Sequence, residues 1–162
     1  MTLPYSTILF DLDGTLTDPK EGITKSIKYA LSKMGIVEND LEKLTTFIGP
    51  PLLPSFMEIY NFTEVEANQT LQFYRERFSI TGLFENEVYE GIEELLKGLK
   101  QLNYRLAVAT SKPTVFAKRI LDHFKLSKYF EVIVGSELDG TRTAKGEVIA
   151  EVLKQMNIEE KV

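Results

Sequence analysis

The sequence contains no cysteine, which excludes disulfides and thiolate metal sites. It has no apolar run approaching the roughly 18 residues that a membrane helix needs, so nothing in it is expected to span a bilayer. The amino terminus, MTLPYSTILF, lacks the basic region and long apolar stretch of a signal peptide, and a cytoplasmic protein is the default expectation. Positive charge is in deficit: 19 Lys and Arg against 24 Asp and Glu give a formal net charge of -5. The cations are spread along the chain, with no stripe that would neutralise a nucleic-acid backbone. Neither nucleic acid nor membrane is therefore expected as a partner. Low-complexity tracts and internal repeats are absent as well. What is left, 162 residues with 43% hydrophobic and 27% charged, is the composition of an ordinary globular chain. It is long enough for one domain, or for one domain carrying an insertion.

The pattern of apolar residues changes along the chain. Thr7 to Leu12, TILFDL, is a short apolar run closed by acids and Gly14, which fits a buried strand delivering Asp11 and Asp13 at its carboxyl end. Asp18, Pro19 and Glu21 mark a helix start, with Asp18 as the capping acid. Ile23, Ile27, Ala30, Leu31 and Met34 then recur at helical spacing until Gly35. A second helical stretch over Leu41 to Phe47 is broken by Gly49, Pro50 and Pro51. Thr63 and Glu66 form a capping-box signature ahead of a further helix that ends near Gly82. No convincing strand is expected from Pro19 to about Glu85. Beyond it, helix and strand alternate: GIEELLKGLKQLN, YRLAVAT, TVFAKRILDHF, FEVIVGS, KGEVIAEVLKQM. Such alternation predicts right-handed crossovers and a parallel sheet covered on both faces. The expected organisation is an α/β core domain over residues 1–17 and 87–162, with an all-helical insertion over residues 18–86. Three strands with the first at an edge make a poor stopping point for such a sheet, so the sheet is expected to be incomplete at the carboxyl end and the chain to be truncated.

Ligands of open parallel sheets bind beyond the carboxyl ends of the strands. The residues to compare are thus Asp11 with Asp13, then Thr110 with Ser111 and Lys112, then Lys145 at the opening of the last helix. Carboxylates, hydroxyls and an ammonium would converge on one small region. Each has a plainer reading on its own. DLDG fits an acidic turn, Thr110 an ordinary β-branched strand end, and Lys145 a solvated charge. The single histidine, His123 in ILDHFKL, reads as a partly buried helix residue or cap and not as a catalyst. The segment Gly49 to Leu52 reads equally as a simple interhelical turn or as a rigid Gly-Pro loop over a site.

Taken together, FDLDGTLTD, LAVATSKP and the lysine of DGTRTAKGEVI resemble the three successive motifs of the haloacid dehalogenase superfamily. The resemblance covers essentially the whole chain, including a helical cap inserted after the first motif. GPPL, YEGI and SELDGTRTAK are most similar to its phosphoglycolate phosphatase and 5'-nucleotidase branch. The resemblance implies a Rossmann-like core and an Mg²⁺-dependent phosphatase acting on a small phosphate ester. In such an enzyme Asp11 attacks phosphorus to form an aspartyl phosphate. Asp13 protonates the leaving oxygen and then deprotonates water. Gly14 permits the turn after the strand, Thr15 helps to hold it through its hydroxyl, and Thr110 donates to a phosphoryl oxygen, with Ser111 and Gly49 also placed toward substrate. Lys145 holds charge between Asp11 and the transferring group. The cation is expected on Asp11 and the main-chain carbonyl of Asp13, with a further acid that has no counterpart here, because Glu159 and Glu160 precede the strand it should follow. A monomer or homodimer is expected. The competing expectations are a phosphosugar mutase, which uses the same two acids, and a catalytically incomplete fragment that only binds phosphate.

Overall fold

The computed structural model describes residues 5–158; Glu159 and Glu160 lie outside the described residues. The run TILF is β1 (Thr7–Phe10), followed by the two-residue strand β2 (Thr17–Asp18). Next come α1 (Lys20–Lys33), a 3₁₀ turn (Leu41–Phe47), α2 (Leu52–Tyr60), α3 (Glu64–Phe78) and a short 3₁₀ turn (Gly82–Phe84). The chain continues through β3 (Glu87–Val88), α4 (Ile92–Gln101), β4 (Arg105–Pro113), α5 (Thr114–His123), β5 (Val132–Ser136) and α6 (Lys145–Gln155). Its contacts divide it into two compact units, whose described parts are residues 5–17 with 88–158, and residues 18–87.

In the first unit β1, β4 and β5 make a parallel three-stranded sheet in the order β1-β4-β5. Leu9 lies opposite Ala107 and Phe10 opposite Val108, while Val108 and Ala109 pair with Ile133 and Val134. Alternate residues of a strand face opposite sides, and β4 is apolar on both. Ala107 and Ala109, with Val134, pack against Val148, Val152 and Met156 around α6, while Leu106 and Val108 are fully buried on the other side. Such two-sided burial is the mark of an interior parallel strand. β1 is different, since all four of its residues are only half-buried.

The second unit is helical. α1 starts one residue later than the sequence indicates, at Lys20, yet Asp18 still accepts the Lys20 N–H at 3.0 Å. It ends at Gly35, whose φ of +80° lets the Ile36 N–H reach the Leu31 carbonyl at 2.9 Å. The stretch Leu41–Phe47 is a 3₁₀ turn and not an α-helix, opened by the Asp40 carboxylate accepting from Glu42 N–H at 3.1 Å. The capping box is present: Thr63 N–H donates to Glu66 Oε2 at 2.9 Å and Glu66 N–H to Thr63 Oγ1 at 3.3 Å. Among the described residues of this unit no helix is long and apolar enough to cross a membrane, and the same holds for the first unit.

Gly22 sits inside α1 because the backbone of Gly82 presses against it. A Cβ at Gly22 would lie 1.9 Å from the Gly82 carbonyl oxygen. Nearby, Arg77 Nη1 lies 2.7 Å from Glu85 Oε1 and 3.1 Å from Ser26 Oγ, and Lys25 Nζ lies 3.4 Å from Glu85 Oε2. The Arg77 guanidinium, then Lys25, hold the Glu85 carboxyl below its ordinary range.

The packing at glycines and the ion pair at Glu85 each give a prediction. Gly22→Ala destabilises the protein in denaturant unfolding by about 1–3 kcal/mol, the usual cost of overpacking, because a backbone carbonyl must move. Gly98→Ala, in α4 with nothing within 4 Å of the added carbon, stabilises it by about 0.5–1 kcal/mol. The second prediction concerns pH. The folded pKa of Glu85 is depressed, so its contribution is complete above the unfolded value and is lost as pH falls through the folded one. The stability that Glu85 contributes is therefore lost below the ordinary carboxyl pKa of 4.5, and Glu85→Gln flattens that part of the stability curve.

Candidate active site

Asp11 follows the last residue of β1, and its side chain is 44% exposed. Its Oδ1 accepts the Leu12 N–H at 2.8 Å and lies 3.1 Å from Lys145 Nζ. Lys145 is the first residue of α6, and its ammonium also donates to the Ala109 carbonyl of β4. One cation thus ties the ends of two strands to the start of a helix. Among the described residues both donors to Asp11 sit on Oδ1.

After Asp11 the chain turns sharply. Gly14 has a φ of +78°, a conformation open to glycine at little cost. The buried Leu12 carbonyl accepts the N–H groups of Thr15, Leu16 and Thr17 at 3.1, 2.9 and 3.2 Å, and Gly14 N–H donates to Thr17 at 2.8 Å. Backbone bonds therefore close the turn. The Thr15 side chain is exposed, and no hydrogen bond of its hydroxyl occurs among the described residues, so the expectation that this hydroxyl holds the turn is corrected. Asp13 points inward: its side chain is 10% exposed and its Oδ2 lies 3.0 Å from Lys112 Nζ, itself 5% exposed. Asp13 Oδ1 and Thr17 Oγ1 are buried with no hydrogen-bond partner among the described residues.

Lys112 reaches Asp13 because of an irregularity at the end of β4. The register shifts between Ala109 and Pro113, and Thr110, 1% exposed, accepts the Lys112 N–H on its hydroxyl at 3.2 Å. Ser111, half-buried, has its carbonyl bound by the Ser136 hydroxyl at 3.0 Å. The Thr114 hydroxyl accepts from Gly135 N–H at 2.9 Å and donates to the Ser136 carbonyl at 3.2 Å. Gly135 is required by this packing, since a Cβ there would lie 1.9 Å from the Lys112 carbonyl oxygen. The loop between β5 and α6 is closed by the Arg142–Glu137 ion pair, by Arg142 Nε on the Gly135 carbonyl at 3.1 Å, and by Asp139 accepting the Thr141 N–H at 2.9 Å. Thr141 holds the Asp139 carboxyl below its usual range through its hydroxyl and its N–H.

Of the residues singled out in the sequence, the structure brings Asp11, Asp13, Gly14, Thr15, Thr110, Ser111 and Lys145 to the carboxyl end of one sheet. Gly49 belongs to the helical unit, with a φ of +107° in the turn before α2. His123 is the last residue of α5 and is exposed, not partly buried, with its ring edge-on to Phe124 at 4.9 Å. The partnership of Lys112 with Asp13 is the feature that sequence reasoning missed. The register shift between Ala109 and Pro113 that accompanies this contact leaves no signal in the sequence pattern.

The haloacid dehalogenase-like hydrolase family matches residues 8–162, and the chain belongs to it. The chain is 56% identical over 151 residues to a 5'-nucleotidase of Pseudomonas aeruginosa, covering 93% of this chain and 68% of that protein. It is 39% identical over 149 residues to the tyrosine-protein kinase PtkA of Mycobacterium tuberculosis, covering 92% of this chain and half of that one. Among solved structures, a predicted phosphatase from Clostridium acetobutylicum superposes with a TM-score of 0.93 at 55% identity, over 96% of this chain and 72% of that chain.

Phosphatases of this family generally use Mg²⁺. The Asp11 carboxylate and the Asp13 main-chain carbonyl fit such a cation in kind, being hard oxygen donors. The Asp13 carboxylate is committed to Lys112. Among the described residues no group of three or more His, Cys, Asp or Glu is placed to hold a metal.

The close approach at Gly135 gives a third prediction. Gly135→Ala pushes the segment 110–113 off the end of β5, lowers stability by about 1–3 kcal/mol, and shifts the backbone amide resonances of Thr110 to Thr114 in an NMR spectrum. Unmoved resonances there would show that Gly135 is not what sets this segment.

Proposed function

We propose that the protein is a phosphate monoester hydrolase acting through an aspartyl-phosphate intermediate on a small phosphorylated metabolite, a nucleoside monophosphate or phosphoglycolate. The carrying observation is the Asp11 carboxylate, half-exposed at the end of β1, with Oδ1 held by Leu12 N–H and Lys145 and Oδ2 left over. A nucleophile that is fixed on one oxygen and open on the other is positioned for in-line attack. The similarity to a protein named 5'-nucleotidase supports the substrate class.

Asp11 Oδ2 bonds to phosphorus as the ester oxygen leaves, and protonated Asp13 gives that oxygen its proton. Water then attacks the acyl phosphate, Asp13 takes a proton from it, and Asp11 returns to its carboxylate as inorganic phosphate departs. Lys145 neutralises charge gathered between Asp11 and the phosphoryl oxygens. Thr110 and Ser111, with the backbone around Gly14 and Thr15, line the place the phosphoryl group would occupy. When bound at Asp11 and the Asp13 carbonyl, Mg²⁺ supplies the charge that lets a carboxylate approach a phosphate dianion. In this reading the first unit is the core domain and the second a cap.

Inorganic phosphate release from 2-phosphoglycolate, nucleoside monophosphates and hexose phosphates tests the reading. Asp11→Asn is expected to lower turnover by at least on the order of 10⁴-fold, as loss of a nucleophile does, while the variant unfolds at a similar denaturant concentration. Conversion of a hexose phosphate without phosphate release would favour a mutase, and near-normal turnover by Asp11→Asn would remove this residue from its role.

A further inference from the structure

Two ammonium groups approach the carboxylates after β1, and the reaction above uses only that of Lys145. The other, Lys112, has a side chain 5% exposed, against 41% for Lys145. A buried ammonium costs several kcal/mol unless an anion and hydrogen bonds compensate it, and here Asp13 Oδ2 lies 3.0 Å away. The carboxylate it meets is equally specific in its arrangement. Oδ2 is taken, whereas Oδ1 is buried without a hydrogen-bond partner among the described residues. Buried acceptors are seldom left unsatisfied, and an exception calls for a role. The bulge between Ala109 and Pro113, the Thr110 hydroxyl on Lys112 N–H and the tight contact at Gly135 fix the backbone from which Lys112 extends.

We propose that Lys112 is a positioning residue for Asp13, holding one carboxylate oxygen so that the other is the atom presented to the ester oxygen. This rests on the phosphatase reading and deepens it. An anchored carboxylate carries its proton along one path. A freed one samples several rotamers, and a misplacement of about 1 Å costs on the order of 100-fold in rate. The step that depends on the anchor is proton transfer to the departing oxygen. An alkyl ester needs that proton because an alkoxide is a poor leaving group, whereas a p-nitrophenolate departs without it. Damage to the anchor must therefore appear as a dependence on leaving group, which a merely structural ion pair would not produce.

The experiment compares phosphate release from a nucleoside monophosphate and from p-nitrophenyl phosphate by the protein and its Lys112→Met, Lys112→Arg, Asp13→Asn and Lys112→Met/Asp13→Asn variants. Denaturant unfolding establishes that each is folded. Lys112→Met is expected to lower kcat for the alkyl ester by about 10–100-fold with KM little changed, and to alter p-nitrophenyl phosphate turnover by less than about threefold. Lys112→Arg is expected to restore much of the loss, and Lys112→Met is expected to add nothing in the Asp13→Asn background. The double variant removes both buried charges, so it stays informative if the single lysine variant folds poorly. Equal slowing of both esters, or no slowing of either, would overturn the positioning role while leaving the phosphatase reading intact. Release from neither ester by the unmodified protein would overturn the phosphatase reading, and this inference with it.

Discussion

Two carboxylates two residues apart at the end of one strand repel each other, and the α/β unit is arranged so that each meets its own cation. Asp11 has Lys145 from the start of α6, and Asp13 has Lys112 from the end of β4. The two pairs differ in kind. The first is half-exposed and screened by water, whereas the second is desolvated, so breaking it leaves a buried charge. This difference suits the two roles proposed for them: one acid would meet a phosphate from solvent, and the other would keep a fixed direction for a proton.

Both cations depend on loops that are rigid for identifiable reasons. Lys112 extends from a bulge clamped by the Thr114 and Ser136 hydroxyls against the close-packed backbone of Gly135. Lys145 follows a loop whose ends are drawn together by Arg142, on Glu137 and on the Gly135 carbonyl. Gly135 thus belongs to both devices. The helical unit follows the same rule at Gly22 and Gly82, where absent side chains let two backbone segments touch. Close approach of backbone is what these glycines have in common, not a turn.

Much of this was legible in the sequence because it is local. The Thr63–Glu66 box, the strands of VIVGS and RLAVAT, and the opening of α6 at Lys145 are written in residues a few positions apart. The exact first residue of α1 and the 3₁₀ character of Leu41–Phe47 were not, since both turn on single backbone hydrogen bonds. His123 stands at the end of α5, as a helix residue or cap, but is exposed and not partly buried. Lys112 was singled out as a strand-end residue, but its pairing with Asp13 was not legible. Its contact joins the end of β4 to the turn after β1 and goes with a register shift at Ala109–Pro113, which no local pattern encodes. Asp11 and Lys145 were singled out by their places at a strand end and a helix start, whereas their 3.1 Å separation is long-range information.

The strand that carries the acids is also the least covered strand of its sheet. β4 is buried on both faces and paired on both sides, while β1 pairs with β4 alone among the described residues, and all four of its residues are half-buried. A strand held by one ladder is free to shift or fray more easily than its neighbour. The segment after it compensates by other means. Leu12 is fully buried, its carbonyl gathers three N–H groups, and the two ion pairs pin Asp11 to α6 and Asp13 to β4. The lysines consequently have two functions at once. They balance the charge of the acids, and they supply the lateral hold that β1 takes from a single neighbour, so charge neutralisation and geometry at this site rest on the same contacts.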